Sequence, residues 1–201
     1  TSVMRKISSL RSFYRFLARE EIVQVNPFAG LSAPKREKRL PKFMSVEEVG
    51  RLLDAPAEYW RMAVAKEIAK DAAGAKFAEL RDSAVLEVIY SGGLRISEAL
   101  GLNMADIDLI NDVMKIRGKG KKERIAALGG PAVRALTSYL EARNLRTADS
   151  RPESPVFLNQ DGGRITARSF QRFFKLYLAA AGLPSDMTPH KLRHSFATHL
   201  L

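Results

Sequence analysis

Apolar residues recur at three- and four-residue steps along most of this chain, a spacing that favours helix over sheet. In TSVMRKISSLRSFYRFLAREE the recurring positions are Val3, Ile7, Leu10, Tyr14 and Leu17, with Arg5, Lys6, Arg11, Arg15 and Arg19 on the other face. Ser45 followed by Glu48 forms a capping box that opens a second helical region at SVEEVGRLLDAP. Residues 58–102 continue the pattern, with breaks expected near Gly74 and at Gly92-Gly93, the latter turning the chain into a short helix from Ile96 to Leu100. Only two places favour strand. DVMKIRGKGKKERIAAL places two short β-prone runs around a Gly-Lys-Gly turn and predicts a hairpin, and PVFLN predicts one short strand. Pro131 starts another helix running to about Arg143, residues 145–155 form a loop, and TARSFQRFFKLYLAAAG is a helix carrying Phe170, Phe173, Phe174 and Tyr177. The expected class is mainly α with a small antiparallel β-sheet (α+β).

A boundary interrupts this series. In NPFAGLSAPKREKRLPKFM, Pro27, Pro34 and Pro41 surround the charged run Lys35 to Arg39, which reads as an extended linker. The 201 residues, 46% of them hydrophobic, can bury one proper core plus a small appendage. Lys and Arg number 33 against 22 Asp and Glu, and the resulting +11 points to a polyanionic partner. With no cysteine there is no disulfide framework and no thiolate metal site, which fits a reducing compartment. No run is apolar enough to span a bilayer and no signal-peptide layout is present, so a soluble cytoplasmic protein is expected, with no membrane partner. The first residue is Thr1, so the chain reads as a piece of a longer one.

All three histidines, His190, His194 and His199, fall in the final TPHKLRHSFATHLL. Thr188 and Pro189 suit an N-cap and first helical position, so His190 and Arg193 would share a face in the first turn. Free amides, an imidazole and a guanidinium together suit an oxyanion. His190 and His194 have the spacing of a zinc pair, but the residues between them are Lys191, Leu192 and Arg193; no metal site is expected. Arg95 follows a glycine turn inside an apolar run, where burial would be costly without a partner; Glu98, one turn on, is the obvious one. Lys119, between two glycines at the hairpin tip, could serve as a mobile acid, with Lys121, Lys122 and Arg124 lining a DNA groove. Arg11 and Arg15 on the first helix are further candidate DNA contacts.

In the order GLRISEALGL, GKGKKER, TPHKLRHSFATHLL, the chain resembles the tyrosine recombinases, or phage-type integrases, and within them the Xer-like branch. The resemblance extends to nearly the whole chain. It implies three parts: residues 1–33 as the end of an N-terminal DNA-clamping helical domain, 34–44 as the interdomain linker, and 45–201 as a catalytic domain of the DNA breaking-rejoining fold, lacking its C-terminal part. It implies site-specific DNA recombination by metal-free transesterification, in which a tyrosine attacks the scissile phosphate and leaves a 3′-phosphotyrosyl enzyme. Arg95 and Arg193 would then hold the nonbridging oxygens, Lys119 would protonate the leaving 5′-oxygen, His190 would assist proton transfer or positioning, and Glu98 would support Arg95. No cofactor is implied. The partners implied are double-stranded DNA and a homo- or hetero-tetramer of recombinases.

None of Tyr14, Tyr59, Tyr90, Tyr139 and Tyr177 occupies the nucleophile's place in that pattern, so no nucleophile is assigned in this chain. DNA binding without cleavage is the expectation for these residues alone. A type IB topoisomerase-like enzyme shares the same catalytic logic. A DNA-binding regulator or decayed integrase is the alternative without catalysis. The segment 58–82 is longer than the compact family pattern requires, with packing, partner contact or neither left open as its role.

Overall fold

The computed structural model describes residues 2–31, 43–118 and 123–199. It divides into two compact units, Thr1–Pro41 and Lys42–Leu201. The first is built on α1 (Ser2–Arg19). After α1, Glu21 adopts a left-handed φ of 59° and the chain doubles back, so that the Phe28 ring packs 5.1 Å from that of Tyr14. Asn26 fastens this turn by accepting from the Phe28 amide at 3.0 Å and donating to the Arg11 carbonyl at 3.1 Å. Arg11, expected on the DNA-facing side, is drawn inward instead: its Nε donates to the Phe28 carbonyl at 2.9 Å and its Nη2 to the carbonyl of Leu31. A guanidinium spent on backbone carbonyls braces the turn. Arg15 is exposed.

The second unit opens with α2 (Val46–Ala65), started by the expected capping box. Ser45 Oγ accepts from the Glu48 amide at 3.2 Å, and Glu48 Oε2 accepts from the Ser45 amide at 2.9 Å. Ser45→Ala is therefore expected to cost about 1 kcal/mol of stability, read as a lower urea midpoint with unchanged slope. The helix runs unbroken through Pro56. Its end falls at Lys66–Asp71, where Glu67 is left-handed with φ 55° and the Ile68 amide returns to the Ala63 carbonyl at 2.8 Å. The expected break near Gly74 thus lies several residues earlier. Gly74 itself is in the first turn of α3 (Ala72–Gly92), donating its amide to the capping carboxylate of Asp71; a Cβ there would sit 2.9 Å from Asp71 Oδ2.

α3 is the central helix, with Ala84, Val85, Leu86, Val88 and Ile89 fully buried, and it packs against α2, α5 (Gly130–Asn144) and α7 (Pro189–His199). Both ends of segment 58–82 pack into the core, with Trp60, Ala63, Phe77, Ala78, Arg81 and Asp82 buried, and residues 64–68 between them are exposed. Its two buried charges pair, Arg81 Nε lying 2.7 Å from Asp82 Oδ1 and Nη2 3.1 Å from Oδ2. Arg81 Nη1 also donates to the Leu158 carbonyl at 3.1 Å. Tyr177, on α6 (Ala167–Ala180), donates its hydroxyl to Asp82 and accepts from Trp60 Nε1 at 3.0 Å, so one polar chain links α2, α3 and α6. Such groups tolerate burial only because each has its partner.

α3 ends at Gly93, whose left-handed φ of 55° turns the chain into α4 (Ile96–Leu100) as the glycine pair predicted. Gly93 is also pressed from outside: a Cβ there would meet the Phe196 ring at 2.6 Å. The sheet follows as β1 (Ile107–Asp108), β2 (Val113–Arg117) and β3 (Glu123–Ala127), antiparallel in that order. The expected hairpin is β2–β3, in register from Val113↔Ala127 to Arg117↔Glu123. The two-residue β1 was not anticipated. PVFLN is not a continuous strand; Pro155 and Leu158 make only isolated bridges, to Asn103 and Arg164. The Tyr139 hydroxyl supplies what a neighbouring strand would, donating to the Val156 carbonyl at 3.0 Å and accepting from the Leu158 amide at 2.9 Å. Tyr139 belongs to α5 (Gly130–Asn144). Last comes α7 (Pro189–His199), whose Lys191 amide is accepted by the Thr188 carbonyl at 2.8 Å and, at 3.4 Å, by its hydroxyl. Ser195 accepts from the Met44 amide at 2.8 Å, which pins α7 to the chain just ahead of α2.

The described residues are thus mainly helical with a three-stranded antiparallel sheet. Among them no helix is long and apolar enough to cross a membrane.

Candidate active site

The turn at Gly93 delivers Arg95 to the N-cap of α4, with an extended φ of −71° and ψ of 150°. Glu98, three residues on, accepts from the Arg95 amide at 2.9 Å and from its Nη1 at 2.6 Å. The pair expected from the spacing is present, but its members differ in burial: the Glu98 side chain is 7% exposed and that of Arg95 54%. Arg95 is therefore not embedded in the apolar run around it. Its neighbours turn inward while its guanidinium stands over open space. Burial pushes the Glu98 carboxyl up, but the Arg95 amide and guanidinium, with Arg124 behind them, outweigh this and hold it below the usual carboxylate range.

α7 supplies the opposite wall. His190, Arg193 and His194 line a cavity of about 500 Å³ together with Arg95, Arg124 and the backbone at Gly92 and Gly93. The one-turn spacing of His190 and Arg193 brings both to this side, and Leu192 and Ser195 face the core. His194 is exposed on the cavity rim. Arg193 has no hydrogen bond or ion pair among the described residues. Desolvation, then repulsion from Arg95, lowers its basicity; Arg124 adds to this and Glu98 partly offsets it. Among the described residues three guanidiniums thus converge where one carboxylate lies, a cationic surplus that an oxyanion would neutralise.

Arg124, read from sequence as a groove contact, turns into the cavity and places Nη2 3.3 Å from Glu98 Oε2. Lys119, Lys121 and Lys122 lie outside the described residues. The stem below them is held by Lys115 to Glu123 at 2.7 Å and by Arg117 to Asp106 at 2.7 Å. Among the described residues no group of three or more His, Cys, Asp or Glu side chains could hold a metal ion.

None of the five tyrosines lines the cavity. Tyr139 and Tyr177 are fully buried, the phenol of Tyr139 being pushed up to about 12 by burial. Tyr59 packs edge-on against Trp60 and Tyr177. Tyr90 pairs its hydroxyl with His199 Nδ1 at 3.0 Å, and burial followed by Glu87 raises the Tyr90 phenol. Tyr14 belongs to the first unit.

Residues 42–201, the whole of the second unit, match the Phage integrase family. The chain belongs to that family. Among curated proteins this integrase-family chain is 40% identical to tyrosine recombinase XerC of Thermodesulfovibrio yellowstonii (strain ATCC 51303 / DSM 11347 / YP87), over 100% of the chain and 62% of that protein. It is also 40% identical to XerC of Myxococcus xanthus, over 98% of the chain and 61% of the relative. It therefore spans about three-fifths of the length of these relatives. Of solved structures, XerA recombinase superposes with a TM-score of 0.64 at 26% identity, covering 96% of this chain and 59% of that one. XerH site-specific recombinase, in a pre-cleavage complex with its difH substrate, gives 0.61 at 28% identity over 81% of this chain and 43% of XerH. The architecture of this family member is that of a tyrosine recombinase catalytic domain.

Proposed function

We propose that the cavity binds the scissile phosphodiester of double-stranded DNA and that the chain serves site-specific recombination by transesterification. The observation that carries this reading is the convergence of Arg95, Arg193 and Arg124 on one open cavity, with Glu98 the only carboxylate that any of them pairs with among the described residues. Guanidinium forks pair with nonbridging phosphate oxygens, and fixed cations gain strength as charge develops on a pentacoordinate phosphorane. Arg95, steadied by Glu98, and Arg193, on the facing helix and unpaired among the described residues, take the two sides of the phosphate. His190, at the start of α7, positions the phosphate or passes a proton. Lys119 is the general acid for the leaving 5′-oxygen, a role worth about 10²–10⁴-fold by the usual scale. The attacking hydroxyl of this reaction is not one of the five tyrosines here, and a phosphotyrosyl bond would conserve the energy for rejoining without a cofactor.

XerC similarity along the whole chain favours a recombinase over a type IB topoisomerase or a regulator, and a tetramer on two duplexes is the assembly this reading carries with it. The exposed Arg15 of α1, with Lys121, Lys122 and the other basic residues, would add backbone contacts. Binding of a labelled duplex, measured against salt, tests the DNA reading. For about six phosphate contacts, affinity should fall roughly 10³-fold between about 50 and 200 mM salt, linearly in logarithms. An affinity indifferent to salt would remove it.

A further inference from the structure

We propose that Arg124 is a third guanidinium in direct contact with the bound phosphate, so that the stem of the β2–β3 hairpin and the turn before α4 close on one anion through their shared carboxylate, Glu98. This rests on the reading of the cavity as a phosphate site and adds to it a contact from the sheet. The argument begins with strand alternation. On β3, Arg124 and Ala126 share a face, and their partners across the hairpin are Ile116 and Met114, both buried. Ala126 is buried as well, and a Cβ built on Gly92 would lie 3.5 Å from the Ala126 methyl and 2.8 Å from Met114 Cε. This face of the sheet therefore covers the Gly92 floor of the cavity. Arg124, one step further along it, projects where the core gives way to that open space. Glu123 and Ile125 point the other way, Glu123 to Lys115 and Arg117 and Ile125 to solvent.

The Arg124–Glu98 pairing is looser than that of Arg95: 3.3 Å and a single nitrogen, against 2.6 Å plus the Arg95 amide. A guanidinium carries five N–H donors in a fixed fork, and the contact to Glu98 engages only Nη2. Most of its donors are thus uncommitted among the described residues, and its field already reaches Arg193 across the cavity. Arg124 sits on the paired part of the strand, so its place is set by the register.

A bracing role through Glu98 alone is the competing account, and a mutant cycle separates the two. Inorganic phosphate is titrated into the 201-residue chain and followed by the amide shifts of Gly93, Arg95 and Phe196, with circular dichroism checking each variant. Arg124→Ala should weaken phosphate about tenfold and Arg124→Lys, which keeps the charge but not the fork, about threefold, as expected for losing one charged hydrogen bond. The Lys variant carries the comparison if the Ala variant does not fold. Lys115→Ala, on the same stem but tied to the exposed Glu123, should stay within about a factor of two, as an exposed pair allows. In a Glu98→Gln background Arg124→Ala should still cost about tenfold if the contact is direct. Disappearance of that loss in the Gln background would overturn the direct contact. If Arg124→Ala binds phosphate like the parent while Arg193→Ala does not, the inference fails and the phosphate site stands. If Arg95→Ala and Arg193→Ala also bind like the parent, the phosphate site itself is lost.

Discussion

Asp82→Ala should lower the unfolding free energy of the second unit by about 3–5 kcal/mol, the usual result of breaking a buried ion pair from one side. Asp82 is fully enclosed and Arg81 only 2% exposed. Removing the carboxylate strands the guanidinium with the Leu158 carbonyl as its remaining oxygen partner, and takes the acceptor from the Tyr177 hydroxyl. Burial opposes the charge on Arg81, and it is chiefly Asp82 that more than offsets this. The loss should appear as a fall of about 10 °C in thermal midpoint for a unit of this size. Replacing both residues by apolar ones of similar volume should restore much of it, because no charge is then left unpaired. The surface pair of Arg151 and Asp149 offers the contrast: Arg151→Ala should move stability by about 0.5 kcal/mol or less, although the contact is 2.9 Å. If Asp82→Ala proved as mild as Arg151→Ala, the buried network would not be holding α2, α3 and α6 together.

Arg193→Ala should have the second large effect, with opposite signs in two assays. Duplex affinity should fall about 10- to 100-fold, the cost of one charged hydrogen-bonding group, and the logarithmic salt slope should shrink by about 0.9. Thermal stability without DNA should hold or rise, because Arg193 is partly desolvated and faces Arg95 and Arg124 with no ion pair of its own among the described residues. A group that is costly to the free protein and needed in the complex is the signature of a site built for its ligand. A drop in thermal midpoint with unchanged DNA affinity would reverse the assignment and make Arg193 a packing residue.

The local chemistry of the site was legible in the sequence because it sits in short linear stretches. A glycine pair before Arg95, Glu98 one turn later, and Thr188-Pro189 ahead of His190 each describe a cap or a turn whose geometry needs no distant partner. What escaped depended on contacts far along the chain. Arg95 looked embedded because its neighbours are apolar, and only the placement of α4 shows those neighbours turning inward without it. Arg124 read as one more basic residue of a hairpin; its direction follows from the register against Ile116 and from the core beneath Ala126. The alternation of hydrophobicity in the second run could have suggested this, had the hairpin been paired residue by residue. Arg11 looked solvent-facing by helical period, but the carbonyls that claim it lie 17 and 20 residues away. PVFLN carried genuine strand propensity, which the Tyr139 hydroxyl satisfied in place of a second strand. The helix break was misplaced because glycine is a weaker stop than the combination of a left-handed Glu67 and the Asp71 cap.

The contact between Gly93 and Phe196 bears on how such a site can vary. The two arginines that face each other are carried by separate elements, and between those elements an uncharged ring rests on bare backbone. Phe196 therefore acts as a shim. A methyl at position 93 would force the ring, and α7 with it, away from the turn that carries Arg95, widening the jaw while leaving every charged residue in the chain intact. If the cavity binds DNA as proposed, the bite of the clamp is thus gauged by an uncharged residue, and a variant would lose its grip with all of its cations in place.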